Sequence, residues 1–328
     1  MATSEYTYNW ADLAFSSKKE VRNLNATFVA APRVMSAVRF TKLIKSHLPS
    51  GHIIVGIANE EYIDGFENQP QFRTLRIEMI QGLIDTVNAK SHHKIYVLTY
   101  SQRDISALYE KLGFRQVILI NGSWKYSFHT RPEYYTLVQK CIPYVMESPF
   151  VDENEAKEYE EKVAAEISYF PPNGSLSEVM MMNEAEEVAK RSYDTSFQVG
   201  LIAARKEKNG YYKIALTAHN TVVPYETFAL HRGASRERHF TAPGDQNYYD
   251  AAHDVISLLV KATKEKVSLK GLTLFSNLLP CPSCARAVCL TDVDEIVYSR
   301  DHSDGYAVAL LEAAGKKVRR IVNINEVI

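Results

Sequence analysis

Between residues 26 and 120, short runs rich in β-branched residues alternate with amphipathic stretches, at 26–31, 34–47, 52–58, 74–88, 94–100, 105–112 and 116–120. The order reads β-α-β-α-β-α-β. Strands joined by helical crossovers run parallel, and a parallel sheet is covered by helices on both faces, so the pattern predicts a doubly wound α/β fold. We assign an N-terminal Rossmann-like domain to residues 25–150. Residues 152–166 are then dense in Glu and Lys, and Pro171-Pro172-Asn173-Gly174 follows. A solvated helix leading into a breaker predicts a linker over 151–176.

Residues 177–328 form a second predicted domain. A helix opens at Ser177, strands at 199–205 and 213–218 flank the Asn209-Gly210 turn, and an irregular stretch covers 221–247. A helix near 248–264, a strand at 272–276, a helix after Cys281, a strand at 295–299 and a last helix-strand pair complete α-β-β-α-β-α-β-α-β. The length, 328 residues, suits two cores rather than one. Lys+Arg 38 against Asp+Glu 39 excludes a global basic field, so any nucleic-acid partner must be held by a local patch. At 46% hydrophobic and 23% charged the chain is globular rather than fibrous or disordered. No run reaches the roughly 18 apolar residues of a membrane helix, and the N-terminus is not basic then apolar, so no membrane association and a cytoplasmic location are expected.

Four cysteines cannot frame a chain of this length with disulfides, and Cys281, Cys284 and Cys289 lie within nine residues. Pro280-Cys281-Pro282-Ser283-Cys284 falls where a strand hands over to a helix, whose positive end favours thiolates. His253, at the start of another predicted helix, completes a one-nitrogen, two-sulfur set suited to zinc with its fourth position open. Cys289, five residues past Cys284, is rotated off that face and reads as core.

The stretch from about Asn183 to Ile321 resembles the zinc-dependent cytidine and deoxycytidylate deaminase superfamily. The likeness rests on AEEVAKRSYDTSFQVG (185–200), on His219-Asn220, on PCPSCARAVCLTDVDEIVYS (280–299), on Asp304-Gly305 and on LLEAAG (310–315). It implies a C-terminal α/β/α cytidine-deaminase-like domain, zinc on His253, Cys281 and Cys284, and Asn220 holding a nucleoside sugar. The implied chemistry is hydrolytic deamination of a nucleotide, with RNA as another substrate class, and the resemblance also implies pairing with itself or another deaminase-fold chain.

One position departs from the family. Its active members carry His-x-Glu, with Glu shuttling protons, whereas this chain reads His253-Asp254-Val255. Val255 occupies the expected Glu position. Asp250 and Asp254 are the candidate substitutes, and a His-x-Val triplet also resembles the noncatalytic partner subunit of eukaryotic tRNA adenosine deaminases. A pseudoenzyme that binds RNA or a partner protein is therefore the alternative.

In HRGASRERH (231–239), Arg232, Arg236 and Arg238 are candidates to grip a substrate phosphate, with a solvated loop as the plain alternative. In the first domain HIIVGIA (52–58), ENQP (67–70) and RIEMI (76–80) resemble nicotinamide-nucleotide adenylyltransferases. The histidine signature of that family is missing from RVMSAVR (33–39), so adenylyl transfer is not expected. Arg33 and Arg76 read as surface salt bridges or phosphate contacts. LYEKLGF (108–114) resembles the last helix of acetyltransferases, and an amphipathic helix capped by Gly113 explains it without function.

Overall fold

The computed structural model describes residues 6–15, 25–30, 33–242, 245 and 247–322. They form two compact units: Met1–Glu166 with Thr227–Tyr249, and Ile167–Glu226 with Asp250–Ile328. The segment 227–249, which the sequence pattern leaves within the C-terminal domain, belongs to the first unit.

The first unit is built on β1 (Thr7–Asn9), β2 (Ala26–Ala30), β3 (Ile53–Ala58), β4 (Ile95–Tyr100), β5 (Phe114–Ile120) and β6 (Tyr144–Glu147). They form one parallel sheet in the order β1-β4-β3-β2-β5-β6. Side-chain alternation divides the strands between two cores. Phe28, Ile54, Leu98 and Leu119 pack with Leu108, Tyr109 and Leu137 on one face. Val29, Val55, Val97 and Ile118 pack with Phe40, Leu43 and Ile84 on the other. The sheet is thus doubly wound, and the strand order reverses between β2 and β5, where such sheets leave a crevice at their carboxyl ends.

Two strands escape the sequence pattern. β1 is three residues long and pairs only with β4, and β6 follows the helix Pro132–Gln139 with a partly exposed side-chain pattern. Neither carries a long apolar run. The acidic helix Glu153–Ala164 is also less solvated than its composition suggests: Ala156 and Val163 are buried, and the Ala156 carbonyl accepts the Thr227 hydroxyl at 2.8 Å.

The second unit carries β7 (Gly200–Lys206), β8 (Tyr212–His219), β9 (Thr221–Val222), β10 (Ala251–Ala252), β11 (Thr273–Leu278), β12 (Glu295–Arg300) and β13 (Lys317–Arg320). Five of these form the order β13-β12-β11-β7-β8, parallel from β13 to β11 and antiparallel beyond, while β9 and β10 pair apart. One face buries Met181, Met182, Ala185 and Val188 of the helix Glu178–Ala189. Ser177 caps this helix by accepting the Met180 N–H at 3.3 Å. The other face buries Leu258, Ala262, Ala285, Val288, Ala307 and Leu311 from three more helices. The domain is a three-layer α/β/α sandwich. Gly200 sets its tightest contact, since a Cβ there would lie 2.0 Å from the Ala185 carbonyl oxygen.

No described helix is long and apolar enough to cross a membrane.

Candidate metal centre

Two helix N-termini meet in the second unit. His253 follows β10 and forms the N-cap of the helix Asp254–Glu265, its extended backbone turning strand into helix. Cys281 follows β11 and caps the helix Pro282–Cys289, its Sγ accepting the Cys284 N–H at 3.5 Å. Pro282 at the first helical position has no N–H to leave unpaired, and Cys284 sits on the first turn. The positive ends of both helices face the thiols.

His253 Nδ1 lies 3.3 Å from Cys281 Sγ and 3.4 Å from Cys284 Sγ. All three donor atoms fall within 4.8 Å of one another, the one such His, Cys, Asp or Glu group among the described residues. Zinc bonds of about 2.3 Å to sulfur and about 2.0–2.1 Å to nitrogen at a tetrahedral angle place N and S roughly 3.5 Å apart. The set fits that ion. The hydrogen bond from Cys284 and the His253 imidazole hold the Cys281 thiol down to about 3, and the same contact with burial pushes Cys284 up. Interaction with Cys281 raises His253. One sulfur is therefore already poised as a thiolate, the form that binds metal.

The carboxylates divide. Asp254 is 5% exposed, its Oδ2 has no hydrogen-bond partner among the described residues, and burial pushes it up to about 6. Its charge is felt by both His253 and Cys284. Asp250, just before β10, accepts the Val223 N–H through its main-chain carbonyl at 2.9 Å and is not part of the metal group. Val255 is 0% exposed and packs in the core that holds Leu258, Ala285, Cys281 and Cys284. Cys289 is half-buried with its thiol 3.7 Å from the Leu310 carbonyl, away from the group.

Asn220 is buried and heavily committed. Its Nδ2 donates to Phe197 O at 2.8 Å and Asp194 Oδ2 at 3.2 Å, and its Oδ1 accepts the Val199 N–H at 2.9 Å. Asp194 in turn accepts from Ser196 and Phe197, and its charge helps raise His253. Asp194 thus joins the site without having been singled out, although it lies inside the stretch 185–200; a lone Asp in a loop carries no spacing signal.

The arginines belong to the first unit. Arg232 pairs with Glu153 at 3.4 Å, and Arg236 stacks over the Tyr249 ring at 4.6 Å while donating to the Asp245 carbonyl. Arg33 corrects an expectation: it is 0% exposed and held by the carbonyls of Gln71 and Gly122 and by the Phe72 ring, not in a surface salt bridge.

Residues 177–300 match the family model of the cytidine and deoxycytidylate deaminase zinc-binding region. The C-terminal region is a deaminase-family domain. Similar solved structures include a dCMP deaminase from the cyanophage S-TIM5, at 22% identity over 44% of this chain and 96% of that one, TM-score 0.31. A second is the diaminohydroxyphosphoribosylaminopyrimidine deaminase/5-amino-6-(5-phosphoribosylamino)uracil reductase of Thermotoga maritima, at 19% identity over 46% of this chain and 38% of that one, TM-score 0.33. A third, from work on tRNA:A34 deaminases, is 18% identical over 44% of this chain and 95% of that one, TM-score 0.26. No curated protein matches the chain.

Proposed function

We propose that the deaminase-family domain is a zinc-dependent hydrolase that removes the amino group from the base of a nucleoside or nucleotide, with Asp254 in the part usually taken by a glutamate. The observation that carries this reading is the convergence of His253, Cys281 and Cys284 beside a buried carboxyl with an unpartnered oxygen. These three residues would hold the zinc, and the bound ion supplies Lewis-acid activation of water. Asp254 takes and returns a proton at Oδ2, the atom its surroundings leave free. Asn220 braces the loop 194–199 beside the histidine, and Val255 and Leu258 keep the floor of the site dry. Zinc-loaded protein should release ammonia from cytidine or dCMP, and Asp254→Asn should stop the release while zinc stays bound. Zinc-loaded wild type that releases no ammonia from free nucleotides or RNA would contradict the reading.

Val255 supports a second reading. A valine in the core at the expected Glu position suits a noncatalytic zinc-stabilised subunit that binds RNA or pairs with another deaminase-fold chain. That reading expects a recoverable macromolecular partner, and turnover by the isolated chain would contradict it.

A further inference from the structure

The first unit carries a cavity beyond the carboxyl end of β5, walled by Asn121, His129, Tyr144, Gly233, Glu237 and Arg238, with Phe240 at its edge. Its volume is about 340 Å³, at the small end of the usual range of about 300–1,000 Å³ for small-molecule sites. Every wall residue, Met146 and Arg232 included, belongs to this unit, and five of the nine come from the segment 227–249.

One end offers donors. Asn121 is 7% exposed, its main-chain N–H is spent on the Glu147 carbonyl, and its carboxamide makes no hydrogen bond among the described residues. Gly233, at φ +82°, would place a Cβ 3.7 Å from Asn121 Nδ2 and 3.8 Å from Arg238 Cγ, so the bare glycine keeps open the space they share. Arg238 reaches only the Ser235 hydroxyl, at 3.4 Å, and has no carboxylate partner among the described residues. An unspent amide and an unpaired guanidinium suit an anion with several oxygens.

The other end offers acceptors. Glu237 is 7% exposed; its Oε1 accepts from Trp124 Nε1 at 2.8 Å and the Phe128 N–H at 2.6 Å, which leaves Oε2 without a hydrogen bond. His129 Nδ1 lies 3.5 Å from that oxygen and forms an ion pair with it when the imidazole is protonated, while its Nε2 faces the Thr241 carbonyl at 3.0 Å. The ring of Phe240 stands 5.4 Å from that of His129 and is 58% exposed. Phe240 holds φ +47°, a sparsely populated conformation for a residue with a side chain, of the kind that clusters at ligand sites. An exposed aromatic face beside a buried Glu237–His129 pair whose contact is long and still has acceptor capacity suits a planar ring that carries N–H or O–H groups.

We propose that this cavity binds a nucleoside monophosphate, its phosphate held by Arg238 and Asn121, its base laid on Phe240, and its amino or hydroxyl hydrogens directed at the Glu237–His129 pair. Inorganic phosphate would fill only the donor end, and a nucleoside only the acceptor end. The site is distinct in its residues from the metal group and does not depend on the deaminase reading.

Titration calorimetry on the full-length protein tests it with the four common ribonucleoside monophosphates, the matching nucleosides and inorganic phosphate. At least one monophosphate should bind tenfold or more tightly than its nucleoside and than phosphate. Arg238→Ala and Phe240→Ala, both at accessible positions, should each weaken it at least tenfold with an unchanged circular dichroism spectrum. The double variant Cys281→Ser/Cys284→Ser should keep the binding that Arg238→Ala and Phe240→Ala weaken. No binding of any monophosphate at millimolar concentration overturns the proposal, as does phosphate binding equally well. Binding lost in the cysteine variant but kept in Arg238→Ala and Phe240→Ala belongs to the metal domain and overturns it too, leaving the deaminase reading intact.

Discussion

Replacing Val255 with glutamate separates the two ways of reading this position. If the side chain lies in the core, as its 0% exposure among Leu258, Ala285 and the two cysteines indicates, a carboxyl there loses its water without gaining a partner. Loss of the buried valine costs about 1.5–3 kcal/mol. A carboxyl buried without a partner is typically raised by up to about 3–5 pK units and so is protonated at pH 7, and taking up that proton from an ordinary value near 4.3 costs about 3–4 kcal/mol. With the lost valine, about 4–7 kcal/mol in total is a reasonable expectation, set against the roughly 5–15 kcal/mol that holds a whole domain. At roughly 2–4 °C per kcal/mol for domains near this size, the melting transition of zinc-loaded Val255→Glu should fall by about 10–20 °C. Deamination should not rise. Thermal denaturation by circular dichroism and an ammonia-release assay read the two effects separately. A variant that melts within a few degrees of wild type and gains about a hundredfold to ten-thousandfold in rate would refute the reasoning: position 255 would then open on the metal, and its valine, not Asp254, would set the activity of the natural chain.

The remaining predictions use other parts of the structure. Gly200→Ala forces a methyl to within 2.0 Å of the Ala185 carbonyl, so the helix Glu178–Ala189 must move off β7; a loss of about 3 kcal/mol or more in urea denaturation is expected. Asp254→Asn keeps the shape of the side chain and removes its proton chemistry, so deamination should drop about a hundredfold or more with zinc content unchanged, as metal analysis and ammonia release will report. Glu178 is held below its ordinary value of 4.5 by the Arg319 guanidinium at 2.5 Å. Its contribution to stability is therefore complete above about pH 4.5 and is lost as the pH falls through the lowered value, and Arg319→Ala should flatten that part of the stability profile.

Much of the fold was readable because its signal is periodic. The β2 to β5 strands and their crossover helices announce themselves as β-branched runs and amphipathic faces, and the order α-β-β-α-β-α-β-α-β appears in the second unit with the two-residue strands β9 and β10 added after β8. β1 and β6 were missed because three or four residues with partly exposed sides give no alternation to detect. The membership of 227–249 in the first unit has no local signal at all: it rests on contacts such as Glu237 with Trp124 and Phe128, residues more than 100 positions apart. The metal group was legible because ligand chemistry restricts residue type and the helix starts fix position, as His253, Cys281 and Cys284 illustrate. Asp194, Asn121 and Glu237 were not, since a polar residue gains its meaning from burial, and burial is a property of the folded chain.

Zinc-edge X-ray absorption on the purified full-length protein, with metal quantified per chain, tests the centre most directly. The account predicts about one zinc per chain bound by two sulfurs at about 2.3 Å and at least one imidazole nitrogen at about 2.0–2.1 Å, with the metal lost when Cys281 and Cys284 are both changed to serine. Protein that takes up no zinc, or zinc that stays bound with an unaltered spectrum in the double-serine variant, would contradict it.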